Sequence, residues 1–233
     1  MRTALVTALM AVLSLLAGCG RDNTILYGYK TLGTVSGEAI IGDNGIVYGV
    51  QEQTCAGRLD TMHRVMASFD ILRRTGDKSY GIRLLDMQPV LCKNTAALSE
   101  TDGESVGNDP IQAVACWSGN GYLNFVIRIA VLNGSDTRHF INLVHDDTAA
   151  SADTLYFSLR HNAYGEFFGA DGTDGSKFIT GTSYVSFKAG DLVPEGRKSM
   201  PARISWQWYD SADNSLAGEL RTFSAVTELR RAL

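Results

Sequence analysis

Tyr122-Leu123-Asn124-Phe125-Val126-Ile127-Arg128-Ile129-Ala130-Val131-Leu132 is the stretch whose reading decides the fold. Its large apolar residues Leu123, Phe125, Ile127, Ile129 and Val131 recur at every second position. Successive side chains of a strand point to opposite faces, so this period predicts a strand with one face in a core. Asn133-Gly134 follows at once and predicts a tight hairpin returning through Arg138–His145. Further along, Thr154–His161 sets Leu155, Phe157 and Leu159 on one face with Arg160 opposite. Ser183–Lys188, Arg203–Tyr209 and Glu219–Thr227 read as further strands, and Ile111–Trp117 precedes the set. About seven strands with regular turn signals predict an immunoglobulin-like β-sandwich over residues 109–233.

Upstream the same grammar appears in shorter pieces. Ala39–Ile41 and Ile46–Val50 enclose Gly42-Asp43-Asn44-Gly45, and Arg64–Leu72 and Ser79–Met87 enclose Thr75-Gly76-Asp77. Helical periodicity is almost absent after Ile25. Short strands joined this way predict a small oligonucleotide/oligosaccharide-binding (OB) barrel over residues 25–97. Asn94–Asp109 is poor in large apolar residues, which places a linker at residues 98–108. The expected class is all-β, a barrel followed by a sandwich. Charge divides the chain in the same place. From Thr24 to Ala97 eight Lys/Arg face seven Asp/Glu, whereas from Leu98 to Leu233 eleven face seventeen. A net charge of −4 argues against a nucleic-acid partner and against binding to anionic membranes through overall charge.

The chain begins with Arg2, an uncharged run from Ala4 to Leu16, and then Ala17-Gly18-Cys19. That order of parts is a secretory signal whose cleavage junction resembles a bacterial lipobox. The run is too short to span a bilayer, which needs roughly 20 apolar residues. The expected processing is cleavage between Gly18 and Cys19, removal of residues 1–18, and acylation of Cys19, palmitate included. Residues 19–24 then form a polar tether. Each buried methylene adds about 0.8 kcal/mol, so several acyl chains on one cysteine anchor a protein stably. Cys55, Cys92 and Cys116 remain, an odd number for an exported protein. Cys55 and Cys92 share the first half and could bridge in an oxidising compartment. Cys116, between Ala115 and Trp117, reads as a small core residue.

Several words in the chain are longer than chance repetition supplies. They are Glu104-Ser105-Val106-Gly107-Asn108-Asp109-Pro110-Ile111, Tyr122-Leu123-Asn124, His139-Phe140-Ile141-Asn142-Leu143-Val144 and Leu159-Arg160-His161-Asn162-Ala163-Tyr164. In this succession, behind a lipobox, they resemble the NigD-like lipoproteins of Gram-negative bacteria. The resemblance implies an N-terminal OB domain, a C-terminal β-sandwich and attachment to the outer membrane. It brings no enzymatic activity, no catalytic residues and no cofactor. The family name derives from a bacteriocin operon, which hints at immunity or envelope interaction. Asp22 alone supplies acidic charge just after Cys19, so the side of the membrane that the protein faces stays open.

His139 and His145, six apart, share a face of a continuous strand, and Asp147 follows on that side. No short ligand motif accompanies them, and a metal site is not expected. Arg160, His161 and Asn162 read as a polar corner fixing a strand end, although a hydrolase could use His161 as base with Asp146 or Asp147. No nucleophile motif, phosphate loop or HExxH helix occurs. Asp171, Asp174 and Ser176 lack the acidic spacing of a calcium loop. Trp206 and Trp208 alternate on a core face with Ile204, and Trp117 is the remaining aromatic platform. The reading is a non-catalytic, lipid-anchored envelope module for a protein or glycan partner. The alternatives are an exported hydrolase and a bacteriocin-immunity protein.

Overall fold

The computed structural model describes residues 25–149, 153–169, 177–211, 216 and 218–232. Its first five strands are β1 (Leu26–Ser36), β2 (Ala39–Gly42), β3 (Val47–Gln53), β4 (Arg64–Gly76) and β5 (Ser79–Pro89). They close into a barrel in the order β1-β2-β3-β5-β4. β3 and β5 run parallel and the other neighbours antiparallel, which is the five-stranded Greek-key barrel of OB type. Alternation along β4 turns Val65, Ala67, Phe69 and Ile71 inward against Ile40, Tyr48, Ile82 and Leu84. Phe69 packs between the rings of Tyr29 and Tyr48, at 6.2 and 4.6 Å. Each such fully buried side chain contributes about 1.5–3 kcal/mol, which gives the barrel a core of its own.

The remaining strands are β6 (Leu91–Asn94), β7 (Ala96–Ala97), β8 (Gln112–Gly119), β9 (Tyr122–Leu132), β10 (Phe140–His145), β11 (Leu155–Asn162), β12 (Phe178–Lys188), β13 (Ser199–Asp210) and β14 (Glu219–Arg230). They form one sheet in the order β14-β13-β11-β10-β7 and another in the order β6-β12-β9-β8. Leu123, Phe125 and Ile127 of β9 meet Leu143, Phe157, Leu159, Phe187 and Ile204 in a second core. The period of β9 therefore does what its sequence says, and Leu155, Phe157 and Leu159 face inward as expected.

Three details depart from the sequence expectation. β10 is not the hairpin partner of β9. β8 and β12 already hold both edges of β9, so the chain after Asn133-Gly134 crosses to the other sheet, where β10 pairs with β11. The two-residue hairpin sits instead at Asn120-Gly121, where both residues have positive φ, between β8 and β9. Residues 91–97, assigned from sequence to the barrel half, add β6 and β7 to the two sandwich sheets. Finally, β7/β10, β11/β13 and β6/β12 are parallel pairs, unlike the antiparallel sheets of an immunoglobulin domain.

Candidate functional site

The barrel and the sandwich meet around one arginine. Arg64, the first residue of β4, lies on the outer wall of the barrel, and its side chain is fully buried. Its Nη1 donates to Thr34 Oγ1 at 3.0 Å, and its Nη2 to both Asp43 oxygens at 3.0 and 2.9 Å. Across the junction, Nε donates to Ser186 Oγ at 3.0 Å and Nη2 to Asn124 Oδ1 at 2.9 Å. Ser186 also donates to Asn124 Oδ1, and Asn124 Nδ2 donates to Asp43 Oδ2 at 2.8 Å. The Tyr122 ring lies 4.0 Å from the guanidinium carbon. Burial raises the Asp43 carboxyl above its usual range, against the pull of the Arg64 charge. The pair is thus costly to desolvate and depends on these neighbours.

Backbone proximity tightens the same contact. A Cβ on Gly119 would stand 2.3 Å from Asp43 Cβ, so only glycine lets the β8–β9 hairpin reach the β2–β3 turn. Sequence reading missed Arg64, Asp43, Asn124 and Ser186. Asn124 stands with Tyr122, Val126 and Arg128 in the row of β9 opposite Leu123, Phe125 and Ile127, which without a partner domain reads as a solvent face, yet it is completely buried.

Beside this lock runs a cleft of about 520 Å³, with Lys30, Leu32 and Met66 on the barrel side and Trp117, Val126 and Tyr184 on the sandwich side. Pairing places Trp117 opposite Asn124 and Tyr184 opposite Val126, so both rings stand on the sheet face toward the barrel. Asp43, Asn44 and Thr31 add polar groups. Ligand sites favour such domain junctions, with aromatic walls and a few fixed polar groups. Trp208 is buried, and Trp206 packs on the core and stacks with Phe223, so of the three tryptophans Trp117 is the one in this cleft.

The histidines make a different place. His161 continues the inward row of β11 and is fully buried. The Pro110 carbonyl can only accept, so His161 Nδ1 carries the proton in their 2.9 Å bond. His161 Nε2 then accepts from His139 Nδ1 at 3.0 Å. Burial drives the His161 pKa down to about 4 and lowers that of His139 too. Asp109 accepts from the Ala163 amide at 2.7 Å, Asn162 Nδ2 donates to the Glu104 and Ser105 carbonyls, and Arg160 donates to Asn108. The words at residues 104–111 and 159–164 are therefore two halves of one corner. It binds the segment around α1 (Gly103–Val106) to the end of β11.

His145 is elsewhere. It pairs with Phe157 at the far end of β10, about 20 Å from His139 at the usual rise of a strand. Asp146 and Asp147 lie at that same far end, bonded to Thr148 and Ser99, so they cannot orient His161 as the hydrolase reading required. Among the described residues no cluster of three metal-ligating side chains occurs. The Cys55–Cys92 bridge does not form: both are free thiols. Cys55 packs on the barrel core, while Cys92 has left the barrel and pairs with Ser186 in the sandwich. Cys116 is half-buried against the sandwich core, and burial pushes its thiol up to about 12. Gly18, Cys19, Asp171, Asp174 and Ser176 lie outside the described residues.

None of the curated proteins matches this chain. Solved structures share its fold at low identity. A NigD-like immunity protein from Bacteroides caccae is 17% identical, with a TM-score of 0.56 over 87% of this chain and 91% of its own. A candidate lipoprotein from Bacteroides fragilis is 13% identical, with a TM-score of 0.58 over 88% and 98%. A candidate toxin-related protein from Parabacteroides distasonis is 19% identical, with a TM-score of 0.58 over 87% and 92%. The sequence profile of the NigD-like C-terminal beta sandwich domain matches residues 94–217, from β7 through β13. By that match over more than half its length, the chain belongs to the NigD-like family.

Proposed function

We propose that this chain is a non-catalytic, lipid-anchored protein of the cell envelope that holds a glycan in the cleft between barrel and sandwich. The observation that carries the reading is the cleft itself, whose two walls are fixed by Arg64 before any ligand arrives. Trp117 and Tyr184 offer apolar ring faces, while Asn44, Thr31 and Asp43 offer hydrogen bonds. Asp43 is already neutralised by Arg64, so Lys30 is the charge among the lining residues left to a hydroxyl-rich ligand. A second groove, on the barrel, carries Glu38, Glu52 and Asp60, the last two paired with Arg83 and Arg58, and so has no excess of positive charge with which to hold phosphodiesters. Acylation at Cys19 supplies the anchor, and the outer membrane is the proposed location. The Bacteroides fragilis neighbour, described as a candidate lipoprotein, supports the lipid anchor.

Two experiments test the reading. Cys19→Ala is expected to leave a folded, soluble protein missing from membranes, and its recovery in the membrane fraction would defeat the anchor. Thermal unfolding of residues 20–233 with defined envelope glycans is expected to show a saturable rise in stability. At 100 times the dissociation constant the gain is about 2.7 kcal/mol. A second reading is bacteriocin immunity, favoured by the name of the Bacteroides caccae neighbour. It requires a deletion strain more sensitive to the bacteriocin than its parent.

A further inference from the structure

The barrel opens with an exposed apolar segment. Ile25, Leu26, Tyr27 and Tyr29 are 36%, 42%, 72% and 40% exposed. The pairing of β1 with β4 shifts register between Leu26 and Tyr29, and the Gly28 amide donates to Asp70 Oδ1 at 3.2 Å. A bulge of this kind re-aims side chains, and here neighbouring Leu26 and Tyr27 both stand in solvent. Leu26 lies opposite Ile71, and the β4–β5 hairpin runs on past it. Exposed at that tip are Arg73, Arg74 and Lys78 against Asp77 alone. An apolar patch with a basic margin therefore occupies this end of the barrel.

Its position in the chain says what covers it. Leu26 is eight residues along β1 from Thr34, which binds Arg64, or about 26 Å from the junction. Six residue steps separate Cys19 from Ile25, a reach of about 21 Å at full extension. An acylated Cys19 thus holds this patch beside the bilayer at high effective concentration. Tyrosine, apolar along its ring and polar at its tip, suits the membrane interface.

We propose that Ile25, Leu26 and Tyr27, bordered by Arg73, Arg74 and Lys78, seat the barrel on the lipid surface that carries Cys19. The proposal rests on the lipid-anchor reading above. It deepens that reading by fixing an orientation in which the sandwich is held away from the bilayer.

The test uses the lipidated full chain in vesicles of phosphatidylethanolamine with a minority of phosphatidylglycerol. Tyr27→Trp adds a reporter at the patch and Val226→Trp one on β14 of the sandwich, with acyl chains brominated near their carbonyl end as quencher. The added emission at position 27 is expected to fall by about half or more, and that at position 226 to stay unchanged, since interfacial side chains reach about 5–10 Å into the headgroup boundary. Membrane-bound protein with no quenching at position 27 would overturn the proposal. So would a reporter shielded only after envelope proteins are added, which would assign the patch to a protein partner. A wild-type chain that carries no lipid and leaves the vesicles would overturn the anchor reading and this proposal together.

Discussion

Arg64→Met tests the physical basis of the junction. The substitution keeps much of the side-chain volume but leaves Asp43, whose side chain is 12% exposed, without its counter-charge. It also removes the donors to Thr34, Ser186 and Asn124. Removing one partner of a buried pair costs about 3–5 kcal/mol, because the remaining charge stays desolvated. All three tryptophans, Trp117, Trp206 and Trp208, belong to the sandwich strands β8 and β13, so their fluorescence follows that unit and, through Trp117, its contact with the barrel, whereas far-ultraviolet dichroism follows the strands of both. In urea the two signals are expected to coincide for the wild-type chain and to separate in the variant, with the free energy of the earlier transition lowered by the stated amount. Adding Asp43→Asn should recover part of the loss, by about 1–2 kcal/mol, since groups in one network are not additive. A loss below about 1 kcal/mol with coincident signals would refute the account of the junction.

Other outcomes follow from the corner and its surroundings. His161 titrates near 4 in the folded chain against 6.5 for the free side chain, so the unfolded state takes up its proton first as pH falls. This contribution is present above pH 6.5 and lost between there and pH 4, about 3 kcal/mol in all, and His161→Asn should flatten the fall in urea midpoint over that range. Gly107 has φ +66° and stands where a Cβ would meet the His161 carbonyl oxygen at 2.5 Å, so Gly107→Ala should cost about 2 kcal/mol or more in the same assay. Tyr164 is exposed at φ +53°, and Tyr164→Asn should raise stability by about 0.5–1 kcal/mol in thermal unfolding.

The strands were legible because their signal is local. β9 matches its expected limits, and the row Leu123, Phe125 and Ile127 fills the core as its period dictates. Connections were less so. Two Asn-Gly pairs look alike in sequence, but residues 120–121 turn a hairpin while residues 133–134 lead to the other sheet, because the edges of β9 are occupied from elsewhere in the chain. The junction was illegible for a related reason. Arg64 and Asn124 are polar residues in the outward rows of their strands, and only the docking of two folded units buries them. The corner was half legible: three polar residues in a row, Arg160, His161 and Asn162, mark a strand end. The His139 and Pro110 contacts of His161, and the role of residues 104–110, needed the fold.

The central claim is that the barrel–sandwich cleft is the binding site. Its most direct test is calorimetric titration of residues 20–233 with the glycan that stabilises them, beside Tyr184→Ala. The side chain of Tyr184 is 43% exposed on β12, so truncation should spare the fold. The account predicts saturable binding to the wild-type chain, weakened about tenfold or more when this ring is removed, as expected of an aromatic contact worth 1–2 kcal/mol. Equal affinity of the two proteins would place the ligand elsewhere and contradict the claim.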